Sequence, residues 1–197
     1  PEAPVIEEVQ NTFDDAGVAT GTTISGNVKD KDNAAEAGAT VEVKDADGNV
    51  VGTAVTDKDG NFIINIAPAL TDGQNYTVEA TDKAGNTSKV SDTITGDTTA
   101  PAELAEGAIK IGDDDNAEYI NAKEVTEGKF NVTVTLPAGI EVDDILVING
   151  EEIKITQAHL DAKKVEHQLS TDDYAEGEKI TVEAVIKDAF GNSNAGI

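Results

Sequence analysis

The fold class is most clearly indicated by residues 77–86, Thr77-Val78-Glu79-Ala80-Thr81-Asp82-Lys83-Ala84-Gly85-Asn86. The first half of this stretch alternates apolar and polar side chains, which is typical of an antiparallel strand with one buried face and one solvated face. Its second half has the form Asp-x-x-Gly-Asn, which suits a tight turn because Asp bonds nearby backbone N–H groups and Gly tolerates positive φ. The stretch therefore predicts a strand that ends in a turn.

This pattern returns near the end of the chain, in residues 181–192. The Asp-x-x-Gly-Asn motif recurs 106 residues later, from Asp82 to Asp188, whereas Pro4 and Pro101 occupy matching linker positions 97 residues apart. A repeat of this size predicts tandem units. We expect two units, residues 1–98 and 99–197, joined by a short linker, with a net insertion of about nine residues around 152–164 in the second.

Other segments of the chain carry the same alternation, and we predict an all-β protein. Helical periodicity is confined to residues 156–163. After Asn192 only five residues remain, so the last strand of the second unit should be short or truncated. The further predicted strands are 40–44, 76–80, 130–134 and 180–185, and the predicted tight hairpins are at Asp47-Gly48, Asp59-Gly60 and Asn149-Gly150.

Composition excludes several classes of protein. Among 197 residues, 39 are acidic and 14 are Lys or Arg, giving a net charge of −25, and cysteine is absent. The chain therefore lacks a disulfide framework, and its charge disfavours nucleic acid and anionic membranes as partners. No apolar run is long enough for a membrane span, and the N-terminus has no secretory signal pattern.

Seven motifs follow one another along the first unit: Pro4–Ile6, Asp14–Gly17, Ile24–Gly26, Gly38–Val43, Asp59–Phe62, Asp82–Ser88 and Asp97–Pro101. This order of motifs resembles the tandem bacterial immunoglobulin-like repeats of giant surface adhesins and biofilm-associated proteins. The second unit resembles them only at residues 112–115, 119–122 and 188–192.

The resemblance implies two immunoglobulin-like antiparallel β-sandwiches that act as spacers in a secreted, cell-anchored protein of the bacterial surface. Their partners would be neighbouring repeats of the same chain, with a host-surface or matrix ligand bound elsewhere in the full protein and the isolated fragment monomeric. It also implies Ca²⁺ near domain junctions, where the ion stiffens the rod and so supports cell adhesion or biofilm formation.

The side chains available suit this ion, since Ca²⁺ takes about six to eight oxygen ligands. In an immunoglobulin-like sandwich, alternate loops gather at opposite ends. We therefore expect one ligand group at the end where the first unit meets the second, and half-groups at the two outer ends. The candidates are Asp14, Asp15, Asp72, Asp97, Asp188 and Asn192 for the first, Asp82 with Asn86 for one outer end, and Asp113, Asp114, Asp115 with Asp172 or Asp173 for the other.

Each candidate has a simpler alternative. The motif aspartates Asp82 and Asp188 could serve only to bond turn backbone, Asp97 could cap an extended linker, and Asp113–Asp115 could form a solvated acidic loop. Asp45–Gly48 and Asp57–Gly60 begin like calcium loops but lack the downstream Glu, and they favour hairpin turns.

We expect no enzymatic activity. Adjacent acids such as Glu151 and Glu152 point to opposite faces of a strand, and the two histidines, His159 and His167, have no nucleophile context. The alternative function is a ligand-binding module that recognises a glycan or host protein through the divergent segment 152–175. A third option is an accessory domain of a secreted polysaccharide-degrading enzyme.

Overall fold

The computed structural model describes residues 1–112 and 120–197 of the chain. They divide into two compact units. Unit 1 comprises Pro1–Thr99 together with Phe190–Asn192, and unit 2 comprises Ala100–Ala189 together with Ser193–Ile197. No helix of the described residues has the length and apolarity to cross a membrane.

Unit 1 is built from two antiparallel sheets, which confirms the predicted all-β immunoglobulin-like class for this part of the chain. One sheet has the order β1-β2-β5 and the other β4-β3-β6-β7. The strands are β1 (Val5–Phe13), β2 (Ala19–Asn27), β3 (Thr40–Asp45), β4 (Val50–Val55), β5 (Asn61–Ile66), β6 (Asn75–Thr81) and β7 (Ile94–Thr95).

The core of unit 1 follows directly from the alternation. Val41 and Val43 on β3, and Val78 and Ala80 on β6, have no exposed surface, while the residues between them remain half-buried. From the other sheet, β2 and β5 contribute Ile24 and Ile64 to the same cluster. Burying side chains of this size contributes about 1.5–3 kcal/mol each, which holds the two sheets face to face.

Unit 2 has the same plan, with sheets β8-β9-β12 and β11-β10-β13, and its described residues include a short helix. Phe130 anchors its core and is 1% exposed, with its ring centroid 5.7 Å from that of Tyr174. Its elements are β8 (Ile109–Ile111), β9 (Lys129–Thr135), β10 (Ile145–Ile148), β11 (Glu151–Lys154), α1 (Gln157–Ala162), β12 (Lys164–Ser170), a 3₁₀ turn (Thr171–Asp173) and β13 (Ala184–Lys187).

The repeat seen in the sequence also appears in the hydrogen bonds. In unit 1 the N–H groups of Ser88 and Ser91 donate to the carbonyls of Ala80 and Val78. In unit 2 the N–H groups of Asn194 and Ile197, each 106 residues later, donate to the carbonyls of Ile186 and Ala184. The two units thus share backbone pairing as well as strand order.

Two predictions of local structure need correction. The turn at Asp59-Gly60 is tight but is not a hairpin, because it joins β4 and β5, which lie in different sheets. The strand predicted over 180–185 begins only at Ala184, because its neighbour β10 ends opposite this residue and the chain then turns at Asn149. The hairpins at Asp47-Gly48 and Asn149-Gly150 are confirmed.

The helix predicted at 156–163 is confirmed as α1. Thr156 caps its first turn, with the Thr156 hydroxyl accepting a hydrogen bond from the N–H of His159. At the other end, Lys163 adopts a left-handed conformation (φ 55°) that stops the helix. The helix lies between β11 and β12, within the segment expected to hold the insertion.

Candidate functional site

Asp82 lies in the turn that follows strand β6, and its carboxylate is engaged by the turn itself. Oδ1 accepts hydrogen bonds from the N–H groups of Ala84 (2.9 Å) and Asn86 (2.8 Å), and Oδ2 accepts one from Asn86 Nδ2 (2.8 Å). Gly85 supplies the positive φ of 88° that closes the loop. Because hydrogen bonds favour the charged form, first those from Asn86, the pKa of Asp82 is held below its usual value.

The same turn recurs at Asp45 and Asp57. Each carboxylate accepts from the backbone N–H groups two and four residues ahead. The pKa of Asp45 is lowered chiefly by the Asn49 side chain, and that of Asp57 chiefly by the Asn61 N–H. These carboxylates therefore stabilise turns, as the sequence indicated for Asp45 and Asp57 and left open for Asp82.

Asp14 and Asp15 lie in the turn between β1 and β2, and both are exposed. Asp14 makes the same turn bonds as Asp45, Asp57 and Asp82. Its Oδ1 accepts hydrogen bonds from the N–H groups of Ala16 (2.9 Å) and Val18 (3.0 Å). The side chain of Asp15 remains exposed beside it. This turn therefore presents two carboxylates to solvent, one of which is partly occupied by backbone.

The structure brings the carboxylates of Asp72 and Asp97 to the same linker residue, Thr99. Asp72 Oδ1 accepts from the Thr98 N–H (3.0 Å) and the Thr99 hydroxyl (3.2 Å), and Asp97 Oδ1 accepts from the Thr99 N–H (2.9 Å). Within the described structure neither Oδ2 atom makes a hydrogen bond. Two carboxylate oxygens thus remain available for a hard cation, which would need further oxygens from water or other groups.

The remaining candidates are not assembled into one cluster among the described residues. Residues 1–112 and 120–197 contain no group of three or more acidic or histidine side chains placed to hold a metal ion. Asp188 is half-buried in unit 2, and Asp172 and Asp173 form the 3₁₀ turn after β12. Asp113, Asp114 and Asp115 lie outside the described residues.

Asn192 belongs to a buried polar cluster in unit 1, which we call the amide cluster: Asn11, Thr22, Asn192 and the carbonyl of Asp97. Asn192 is 3% exposed; its Nδ2 donates to the Asp97 carbonyl (2.9 Å), and its Oδ1 accepts from Asn11 Nδ2 (3.1 Å). Asn11 Nδ2 also donates to the Asp97 carbonyl (2.7 Å). Both polar atoms of Asn192 therefore act within a protein network.

The amide cluster continues into the core through Thr22. The Thr22 hydroxyl donates to Asn11 Oδ1 (2.8 Å) and accepts from the Leu70 N–H (2.9 Å). The Asn11 N–H donates to the Phe190 carbonyl (2.8 Å). Leaving one such buried group unpaired costs about 1–3 kcal/mol, so the cluster specifies how Phe190–Asn192 lie in unit 1.

Sequence reasoning missed Asn11 and Thr22. Both lie in strands, where a polar residue is ordinarily read as part of the solvated face. The available signal was the alternation of β1, in which Val9, Asn11 and Phe13 share one face. An amide between two apolar residues on one face indicates a buried polar contact.

Comparison with known proteins places the first unit in a family. A model described as a bacterial Ig domain matches residues 1–97. A comparison with curated proteins found no match.

Three solved structures are similar to the whole chain. The first is a biofilm-associated protein BSP domain, with 18% identity over 98% of this chain and 28% of that chain and a TM-score of 0.37. The second is chicken CNTN1 FN1–FN3 domains, with 12% identity over 100% of this chain and 63% of that chain and a TM-score of 0.29. The third is the N-terminal Ig1-2 module of Drosophila receptor protein tyrosine phosphatase DLAR, with 14% identity over 99% of this chain and 96% of that chain and a TM-score of 0.33. The chain thus spans about 28% of the biofilm-associated protein chain.

Proposed function

Residues 1–97 belong to the bacterial Ig domain family, and on that premise we propose that the two units are spacer repeats of a secreted bacterial surface adhesin, without enzymatic activity. The observation that carries this proposal is the repetition of strand order in both units, together with the backbone bonds of Ser88 and Ser91 that recur 106 residues later at Asn194 and Ile197. A spacer needs units that fold alike and add length. Binding to a surface would be performed elsewhere in the full protein.

The composition of the chain is consistent with a spacer. Each unit has its own apolar cluster, so each can remain folded while it transmits load. The net charge of −25 makes copies of the chain repel one another and keeps long arrays apart.

We further propose that Ca²⁺ stiffens the array, with Asp72 and Asp97 as its first ligands. The Oδ1 atoms of both residues accept hydrogen bonds from Thr98 or Thr99, so both carboxylates are held beside the same linker segment. Asp14, Asp15 and Asp188 are the other proposed contributors to this ion, and Asp82 and Asp113–Asp115 are proposed for the outer ends. A bound divalent ion would offset the mutual repulsion of these carboxylates and restrict the linker.

The spacer function is tested in the protein that carries this chain. Exchange of the two units for an unrelated pair of Ig-like domains of equal length should preserve adhesion of the bacteria, whereas deletion of both units should weaken it. The matched control is the isolated chain, which should not bind host glycans or matrix proteins. If the exchange abolishes adhesion and the isolated chain binds a ligand through residues 152–175, the chain is a binding module instead.

A further inference from the structure

The two copies of the Asp-x-x-Gly-Asn turn have the same glycine conformation but different surroundings. Gly85 and Gly191 have φ values of 88° and 85°. Asn192 is buried in the amide cluster, whereas Asn86 is exposed and its Nδ2, among the residues that the structure describes, bonds the carboxylate of its own turn alone. The contacts of the buried copy at Asp188–Asn192 therefore indicate which groups the exposed copy at Asp82–Asn86 can bind.

Some of the groups through which unit 1 holds the turn residues Phe190–Asn192 are groups that any Asp-x-x-Gly-Asn turn carries. The Asn11 N–H bonds the carbonyl of Phe190, and the amide of Asn192 bonds both Asn11 and the Asp97 carbonyl. The Phe190 ring, which packs on the core of unit 1, is specific to this copy. The turn at Asp82–Asn86 offers the same carbonyl, on Ala84, and the same amide, on Asn86.

We propose that the turn Asp82–Asn86 is a docking element for another Ig unit of the same kind as unit 1. The partner would present an asparagine in the position of Asn11 and a linker carbonyl in the position of the Asp97 carbonyl. On docking, Asn86 exchanges its bond to Asp82 for bonds to these two groups. This contact needs no metal ion, so it is separate from the calcium proposal.

Charge also selects this partner. Lys83 stands where the second copy has Ala189, and it adds a positive charge to the docking turn. A unit of the unit-1 kind carries Asp72 and the carboxylate of Asp97 near the carbonyl that the turn would bond. A lysine on the turn and two carboxylates on the partner are complementary, which favours this pairing over a second turn of the same type.

The contact is weaker than that of Phe190–Asn192, because Ala84 lacks the aromatic ring. It therefore requires the high effective concentration that a covalent array provides. The test is a chain in which a second copy of residues 1–97 precedes Pro1, so that the spacing from Pro4 to Pro101 is reproduced. All measurements are made in chelator, so that failure of the calcium proposal does not affect them.

The readout is hydrogen exchange at the backbone N–H of Asn11 in the added copy. We expect Asn86→Ala to accelerate this exchange about tenfold, since one lost bond of roughly 1.4 kcal/mol corresponds to that factor. Asn49→Ala is the matched control: Asn49 Nδ2 bonds Asp45 in a turn of the same design, and its loss should leave the exchange unchanged.

Three results would overturn the proposal. They are an unprotected Asn11 N–H in the added copy, equal exchange rates with Asn86→Ala and Asn49→Ala, or an added copy that stays unfolded although the docking turn follows it. A result of this kind would leave the spacer function standing, because that function is tested by exchange of the units in the full protein.

Discussion

Substitution of Thr22 tests how much the amide cluster contributes to the unfolding free energy of unit 1. Thr22 is 1% exposed, and its hydroxyl both donates to Asn11 Oδ1 and accepts from the Leu70 N–H. Thr22→Val keeps the shape and the strand preference but removes both bonds, leaving two buried polar groups without these partners. At about 1–3 kcal/mol for each group, unit 1 should lose about 2–6 kcal/mol of unfolding free energy.

The assay is urea unfolding followed by amide signals of each unit in two-dimensional NMR. Unit 1 is reported by Val41 and Val78, and unit 2 by Val132. With a slope of about 2 kcal/mol per molar urea, the middle of the usual range, the unit 1 midpoint should fall by roughly 1–3 M, whereas the unit 2 signals should be unchanged.

The matched control is Thr23→Val, one residue further along the same strand. The Thr23 hydroxyl donates to Asn65 Oδ1 at the surface, so its removal should cost no more than about 0.5 kcal/mol. If both variants lose the same free energy, or if Thr22→Val leaves the unit 1 midpoint within error, the amide cluster does not stabilise unit 1 and the reasoning is wrong.

Three further predictions concern turns and core. Gly60→Ala should lower the melting temperature of unit 1 more than Gly48→Ala does. Both glycines have positive φ, but a Cβ at Gly60 would lie 2.4 Å from the Val28 carbonyl oxygen, whereas a Cβ at Gly48 would meet nothing within 4 Å. Equal shifts in melting temperature would contradict this prediction. Because the folded pKa of Asp82 is lowered, its stabilising effect is complete above the unfolded pKa of about 4 and is lost as the pH falls through the folded value. Asp82→Asn should therefore flatten the acid side of a plot of urea midpoint against pH, and an unchanged slope would count against it. Phe130→Leu should cost unit 2 about 1–2 kcal/mol in urea unfolding and leave unit 1 unaffected, and a loss shared by both units would refute the assignment of this ring to one core.

Local patterns predicted the strands well because alternation is a property of adjacent residues. The predicted strand at 40–44 is observed as Thr40–Asp45, and that at 130–134 as Lys129–Thr135. The sheet to which a strand belongs is set by packing instead. The turn at Asp57–Gly60 has the same local hydrogen bonds as a hairpin turn but carries the chain from one sheet to the other.

The candidate site was harder to predict, for a physical reason. The carboxylate of an aspartate in a turn often accepts hydrogen bonds from backbone N–H groups close in sequence, as that of Asp82 does. A count of acidic residues does not show which carboxylates are bonded in this way and which are available to a metal ion. Burial of Asn11 and Asn192 depends on contacts between residues 181 positions apart. The sequence predicted Asn192 as a calcium ligand, whereas its hydrogen bonds to Asn11 and the Asp97 carbonyl became visible only in three dimensions.

We propose that Ca²⁺ held by Asp72 and Asp97 stiffens the spacer. Small-angle scattering of the chain in calcium and in chelator tests it directly, with Asp72→Asn/Asp97→Asn as the variant and Asp47→Asn, an exposed turn residue, as control. We expect a longer and narrower distance distribution in calcium for the natural chain and the control, and no difference for the variant. Superimposable profiles of the natural chain in calcium and chelator would contradict it.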